Sequence, residues 1–454
     1  MSGGQSNQPR GNDTIYALAT APGRAGVAVV RLSGPGAALA LRDLVGTIPP
    51  PRQAHYAHFR DRQSGDVLDD GIALYFAAPA SMTGEDVVEL QLHGSRAVLS
   101  AVFTVLARRA GFRLAEPGEF TKRAFLNGKL DLTEAEAIAD LVEAETSAQR
   151  RQAMRQLQGE FGRQCEAWRT RLIAAQARLE AEIDFPEEGL PAAQWAAARQ
   201  ETAALRQEIA AELADNRRGE RLREGVAVAI VGPPNAGKSS LMNALARRDV
   251  AITSHIAGTT RDVIEVALDL GGYPVVLADT AGLRDSADSI EEEGISRARA
   301  RAASADLKLV VLDATKPDEA TTLRDLIDAR TLVVVNKIDL IPETLVSWAD
   351  SLGVGRALYC SATTGDGIAA LIARLGDAVE AALSAETAPL VTRARHREAL
   401  ENCVVALDRF AAAALPELAA EDLRAAARLL GRITGRVDVE DMLDALFREF
   451  CIGK

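Results

Sequence analysis

The chain has 454 residues, of which 48% are hydrophobic, 26% charged and only 4% aromatic. That length suits roughly two to four domains of ordinary size, and the apolar share excludes wholesale disorder. A core poor in aromatics must lean on Ala, Leu and Val, a helix-friendly mixture. The formal net charge of −12 argues against broad non-specific attraction to nucleic acid, though it leaves room for a local basic patch.

Cys165, Cys360, Cys403 and Cys451 are scattered without a CxxC pair, which excludes a disulfide scaffold or zinc knuckle and fits a reducing cytosol. Met1 to Asp13 are polar and lack the apolar core of a signal peptide. No uninterrupted apolar run is long enough for a transmembrane helix. These features predict a cytoplasmic protein with no membrane contact.

From Asp13 to about Leu126 the texture is mixed. Ala25 to Leu32 and Asp86 to Leu92 read as strands, the second with clean alternation. Ala97, Val98, Ala101, Val102, Val105 and Leu106 recur at helical spacing, with Gly111 as the expected C-terminal cap. From Asp131 to about Glu224 the texture is helical. Thr133 to Glu136 matches a capping box, and an apolar stripe of Ala135, Ile138, Leu141 and Val142 follows. A second helix runs through Trp168, Leu172, Ala175 and Leu179 until two prolines between Asp184 and Pro191 interrupt it. A third, Ala-rich helix is expected to continue to about Arg223.

From Val226 to about Leu375 short buried strands alternate mostly with helices. They are Val226 to Val231, Val275 to Asp279, Leu307 to Asp313, Leu332 to Asn336 and Ala357 to Ser361. The alternation predicts an α/β sheet, and Gly271-Gly272 reads as a hairpin turn within it. Helical texture then returns. The predicted class is multidomain, α+β and α/β. Residues 1–128 form an N-terminal α+β domain, 129–222 and 379–454 two portions of a helical domain, and 223–378 an α/β domain inserted between them.

Gly232-Pro233-Pro234-Asn235-Ala236-Gly237-Lys238-Ser239 fits the pattern GxxxxGK[ST] between a strand and a helix. Glycines let backbone N–H groups turn toward phosphates, and the helix start adds partial positive charge. Lys238 suits the terminal phosphates and the Ser239 hydroxyl suits Mg²⁺. Partners follow in order. Thr260, within Gly258-Thr259-Thr260-Arg261-Asp262, can complete the Mg²⁺ shell. In Asp279-Thr280-Ala281-Gly282, Asp279 can hold Mg²⁺ through water and the Gly282 N–H can meet the γ-phosphate. In Asn336-Lys337-Ile338-Asp339, Asp339 can accept two hydrogen bonds from guanine. Adenine offers no such donor pair and would leave that carboxylate unpaired. Ser361, Ala362 and Thr363 follow the last strand and can support the base. The GTP site so read takes in Asn235, Ala236, Gly237, Lys238, Ser239 and Ser240, then Gly258, Thr259 and Thr260, and the three later segments.

Leu283 follows Gly282, where many small GTPases carry a water-orienting Gln. Leucine cannot polarise water, so another group must. The run Glu291-Glu292-Glu293 lies downstream and reads, on its own, as a solvated helix start.

These residues and the two ends of the chain resemble the MnmE (TrmE) family of tRNA-modifying GTPases over nearly the whole length. The signatures are Ala21 to Gly26, Thr83 to Asp86, Gly118 to Leu132, the phosphate loop with Asn235, and the terminal Phe450-Cys451-Ile452-Gly453-Lys454. The resemblance implies an N-terminal folate-binding domain that forms a homodimer, a helical domain, and an inserted Ras-like P-loop GTPase domain that associates with its partner's around K⁺. It also implies a flavoprotein partner, MnmG (GidA), that carries the FAD. The complex would modify position 5 of the wobble uridine of certain tRNAs, with a tetrahydrofolate derivative (5-formyl or 5,10-methylene) at the folate site.

Carried over by motif, Asn235, Ser254, Ile256 and Thr259 would hold K⁺, Ser239 and Thr260 Mg²⁺, and Glu291 would orient the attacking water. The resemblance extends the GTP site to Ser254, His255, Ile256 and Ala257. Position 254 is commonly Thr in the family; serine keeps the oxygen. Arg31, Glu85, Lys129 and Lys454 match folate-site positions, where a carboxylate can accept from a pterin's donor edge and cations can meet its carbonyl or glutamate tail. Cys451 is placed beside that site as a catalytic candidate. His55, His58 and His93 lack metal-like partners and read as structural. Arg393, Arg395, His396 and Arg397 read either as a solvated helix face or as a tRNA phosphate contact.

Overall fold

The computed structural model describes residues 13–184, 192–248, 250–252, 265–279, 302–342, 357–384, 388–437, 443, 446–448, 450 and 453. The chain divides into two compact units, residues 1–139 with 431–454, and residues 140–430.

The first unit is built on a six-stranded sheet. Its strands are β1 (Thr14–Leu18), β2 (Ala25–Ser33), β3 (His55–Arg60), β4 (Val67–Phe76), β5 (Val87–Gly94) and β6 (Phe112–Leu114), in the order β3-β4-β5-β2-β1-β6. All neighbours are antiparallel except β1 and β6. The alternation of β5 sends Val88, Leu90 and Leu92 inward. There they meet α1 (Ala37–Val45) through Leu41 and Leu44, and α2 (Arg96–Ala107) through Val102 and Leu106. Each such side chain contributes about 1.5–3 kcal/mol on burial. Ser95 caps α2 by accepting from the Val98 N–H at 3.2 Å. The helix ends at Arg108, before the expected Gly111 cap. Gly111, at φ +79°, instead turns the chain into β6, and its carbonyl accepts from the Thr14 N–H at 2.8 Å.

Two further helices follow, α3 (Glu119–Leu126) and α4 (Leu132–Glu143). The capping box of α4 lies two residues before the expected one. Asp131 Oδ1 accepts from the Glu134 N–H at 2.9 Å, and the Glu134 carboxylate accepts from the Asp131 N–H at 2.7 Å. Thr133 is inside the helix and buried, so its hydroxyl donates back to Asp131 at 2.7 Å. Leu132 and Ala135 share an apolar cluster with Leu443, Phe447 and Phe450, which brings the C-terminal residues into this unit.

In the second unit α5 (Ser147–Leu157), α6 (Glu160–Asp184), α7 (Ala192–Leu213) and α8 (Arg218–Glu224) precede the second sheet. The expected unbroken third helix is in fact α7 and α8. Asn216 and Arg217 adopt positive φ of 53° and 58°, which α-helix cannot accommodate. Trp168, Leu172 and Leu179 are buried as their spacing predicts, and the proline break falls outside the described residues.

The second sheet has the order β12-β11-β10-β7-β9-β8. It comprises β7 (Val226–Val231), β8 (Glu265–Leu270), β9 (Tyr273–Asp279), β10 (Leu307–Asp313), β11 (Thr331–Asn336) and β12 (Leu358–Tyr359). Only β8 is antiparallel to its neighbour, joined through Gly271-Gly272. Every residue of β10 is buried, as expected of a parallel strand covered on both faces. One face packs on α9 (Lys238–Ala246) and α10 (Ile368–Leu383). Two more helices follow, α11 (Ala394–Ala412) and α12 (Pro416–Thr434). Strand β7 stands between β10 and β9, so the loop leaving it opens where the strand order reverses, the usual ligand position in such sheets.

Candidate functional site

The phosphate loop closes β7 and opens α9. Asn235 takes φ +63°, and Gly237, the residue that caps α9, takes φ +92°. Gly232 lies so near β10 that a Cβ there would sit 2.2 Å from the Val311 carbonyl oxygen. Lys238 is buried, and its ammonium donates to the carbonyl oxygens of Gly232 and Pro233 at 2.9 and 2.8 Å. The cation is thereby held inside the curve of its own loop. Ser239 and Ser240 are exposed on the first turn of α9, where helix N–H groups favour an anion.

Asn336 ends β11 and is 2% exposed. Its Nδ2 donates to the Ala236 carbonyl at 3.0 Å, while its Oδ1 accepts from the Ala362 N–H at 3.0 Å. One buried amide thus ties together three segments that are separate in sequence. Lys337, in a left-handed conformation at φ +66°, donates to the Asn235 carbonyl and to Asp313 Oδ2, each at 2.6 Å. Ile338 and Asp339 lie in a short 3-10 turn, with Asp339 exposed. Ser361 is buried and accepts from the Thr364 N–H at 3.1 Å; Ala362 is half-buried and Thr363 exposed. Asp279 ends β9 in register with Ile230.

Sequence reasoning missed Asp313. Its carboxylate ends β10, is buried, and accepts from Lys337 and from both the hydroxyl and the N–H of Thr315. Burial alone would raise its pKa, but Lys337 and Thr315 outweigh that and hold it below the usual carboxylate value. The available signal was an aspartate closing the apolar run Leu309 to Leu312, beside the strand of Asn336.

Ser254, His255, Ile256, Ala257, Gly258, Thr259, Thr260, Thr280, Ala281, Gly282, Glu291, Cys451 and Lys454 lie outside the described residues.

In the first unit, Arg31, Glu85 and Lys129 gather round the segment from Pro79 to Glu85. Arg31 pairs across the strands with Glu89 at 2.8 Å, reaches the Gly453 carbonyl at 3.3 Å, and lies 3.7 Å from Met82 Sδ. Lys129 donates to the Pro79 carbonyl at 3.1 Å, and its stem lies along Gly84. Glu85 accepts from the Ser33 hydroxyl at 2.7 Å and from Arg123 at 3.1 Å. Arg123 also donates to Asp13 at 2.7 Å and Glu119 at 3.1 Å. The Glu85 side chain keeps 24% exposure.

Residues 14–129 match the family described as the N-terminus of the GTP-binding protein TrmE, and residues 132–451 the MnmE helical domain. The tRNA modification GTPase MnmE of Parvibaculum lavamentivorans is 55% identical over 97% of this chain and 100% of that protein. Those of Paramagnetospirillum magneticum and Rhodospirillum rubrum are also 55% identical, over 98% and 97% of this chain and 100% and 99% of theirs. The chain belongs to the MnmE family. With that family come the N-terminal TrmE domain, the helical domain and the P-loop GTPase fold.

Neither reading of the Arg393 to Arg397 run fits its two best-placed arginines. Arg393 donates to Asp140 at 2.6 Å, and Arg397 donates to Asp215 at 2.6 Å and to Glu220. Arg397 and His396 are buried, and the His396 ring packs 5.0 Å from that of Phe161. The sequence shows a row of cations, but the fold supplies a carboxylate to each of those arginines. His58 and His93 are bound by Asp70 and Asp69, and no metal-binding group of side chains occurs among the described residues. No described helix is long and apolar enough to cross a membrane.

Proposed function

We propose that the chain is the GTP-hydrolysing subunit of a complex that adds aminomethyl or carboxymethylaminomethyl groups to C5 of the wobble uridine of certain tRNAs. The observation that carries this reading is the Asn336 amide, which joins the phosphate loop to the Ala362 segment as a guanine-nucleotide pocket requires. Its setting is a chain that matches tRNA modification GTPases over nearly its full length.

In this reading Lys238 and the N–H groups at the start of α9 receive the phosphates, and Asp339 accepts from the guanine edge. Ser239, Thr260 and (through water) Asp279 would hold Mg²⁺, which would supply positive charge to the phosphates. Asn235, Ser254, Ile256 and Thr259 hold K⁺ where paired GTPase domains associate. Glu291 orients water, the task that Leu283 cannot perform.

Arg31, Glu85, Lys129 and Lys454 hold a tetrahydrofolate derivative, with Glu85 accepting from the pterin. Because Arg31 is already paired with Glu89, it offers that ligand a neutralised ion pair rather than a bare cation. Cys451 lies beside this chemistry. The working assembly is a cytoplasmic homodimer joined through residues 1–128, with residues 223–378 as the inserted GTPase domain and an FAD-carrying flavoprotein as partner.

The test is mass spectrometry of tRNA nucleosides from a strain lacking this gene. Loss of 5-substituted wobble uridines, restored by the intact copy but not by Asp279→Ala, is expected. An unchanged nucleoside profile in the deletion would overturn the reading. For the K⁺ assignment, GTP turnover is compared in KCl and NaCl at equal ionic strength, and equal rates would remove it.

A further inference from the structure

Within residues 140–430 the chain passes from the helices to the nucleotide-binding sheet through α8 and returns through residues 388–392. The two crossings touch, since a Cβ on Gly219 would lie 1.9 Å from the Val391 carbonyl oxygen. One helix, α5, grips both. Gln149, Gln152 and Gln156 fall at i, i+3 and i+7, one face of a helix. Each donates its side-chain amide to a backbone carbonyl: Gln149 to Arg223 at 3.0 Å, Gln152 to Gly219 at 3.1 Å, and Gln156 to Leu390 at 2.7 Å.

The same helix reaches the sheet itself. The Ala148 N–H at its first turn donates to the Gly272 carbonyl, in the turn between β8 and β9, at 3.0 Å. In sequence that hairpin lies between Thr260, read as completing the Mg²⁺ shell, and Gly282, whose N–H is read as meeting the γ-phosphate. A cleft of about 420 Å³, lined by Gln152, Gln156, Leu222, Tyr273, Leu383 and Leu390 among others, adjoins the glutamines. Neutral amides on backbone carbonyls fix the course of the chain without a charge that salt or pH could titrate away.

We propose that α5 couples nucleotide state to the helices, with Gln149, Gln152 and Gln156 as positioning residues. A displacement of the β8–β9 turn moves the start of α5 through Gly272, and the three glutamines carry it to both crossings. The inference rests on the GTPase reading above.

The test replaces Gln152 and Gln156 by methionine, which keeps length and removes the donors, and spares Gln149 because its Oε1 also accepts from the Thr146 N–H at 3.0 Å in the cap of α5; Gln156→Met alone serves if the double variant does not fold. GTP affinity and turnover are expected within about threefold of wild type, whereas modified tRNA per GTP hydrolysed falls about tenfold, a common size for a coupling free energy. A merely structural role would lower both together, and either a joint fall or no change in the ratio overturns the proposal. A second measurement does not depend on the substrate. Hydrogen exchange in α5 and residues 388–392 is expected to differ between GDP and a non-hydrolysable GTP analogue in the wild type, and to lose that difference in Gln156→Met. Absence of the difference in the wild type overturns the coupling even if the tRNA assignment stands. Failure of wild type to modify tRNA, with the exchange difference present, overturns only the assignment.

Discussion

Gly237 faces Asn336 so closely that a Cβ on the glycine would lie 2.2 Å from the asparagine Nδ2. The amide that joins the base side of the site to Ala236 therefore depends on a missing side chain in the phosphate loop. Gly237 also holds φ +92°, which L-residues rarely adopt. Gly237→Ala is expected to displace the amide and weaken guanine-nucleotide binding at least about tenfold, the equivalent of one lost buried hydrogen bond and its desolvation. Isothermal titration with GDP measures this, and unchanged affinity would show that the loop tolerates the methyl.

The Arg397 cluster allows a stability forecast. Its guanidinium is buried between Asp215 and Glu220. Burial works against the Glu220 charge, but Arg397 and Arg217 hold its pKa below the usual value. Arg397→Met leaves buried carboxylates short of a partner, a loss of about 3–5 kcal/mol in comparable pairs. Arg217 still reaches Glu220, so the lower end is expected. The shift in urea midpoint gives the answer, and a loss under 1 kcal/mol, the range of a surface pair, would contradict it.

Asp313 sets a pH dependence. Its folded pKa is depressed below that of the unfolded chain. Its contribution is therefore complete above the unfolded carboxylate value of about 3.9 and is lost as pH falls through the folded value. Asp313→Asn lacks that contribution at every pH. The stability gap between wild type and variant should be widest near neutrality and shrink below about pH 4. Chemical denaturation from pH 7 to 3 tests the sign, and a gap that widens in acid would reverse it.

Thiol labelling separates the cysteines. Burial pushes the Cys360 and Cys403 thiols up to about 12, and Cys165 is buried as well. Thiolate is the reactive form, so iodoacetamide at pH 8 should leave all three unmodified in the native protein and label them after denaturation. Peptide mass spectrometry resolves each site. Labelling at Cys451 in the same digest then reports that thiol alone.

The legibility of the fold followed the burial of each strand. Strands β7 and β10 match their expected bounds to the residue, because near-continuous apolar runs, broken inside β10 only by Lys308, mark strands covered on both faces. Strand β3 escaped notice: only Ala57 and Phe59 turn inward among histidines and an arginine. Strand β4 carries Asp69, Asp70 and Gly71, which argue locally against a strand. Gly71 is there because a Cβ would lie 2.0 Å from the Gln91 carbonyl of β5, a fact of the pairing and not of the segment. The phosphate loop and the Asn336 segment were legible because their chemistry needs fixed spacings. Asp313 and the glutamines of α5 were not, because their partners are a lysine far along the chain and backbone carbonyls that leave no trace in sequence.

The contact between Gly219 and Val391 has a consequence for how such a chain can be assembled. To the helices, everything between those two residues is a loop whose ends already meet. Closing a loop becomes harder only with the logarithm of its length, about 0.6 kcal/mol per doubling for a flexible chain. A whole nucleotide-binding domain can therefore hang from the helical framework at an entropic cost little above that of a long surface loop.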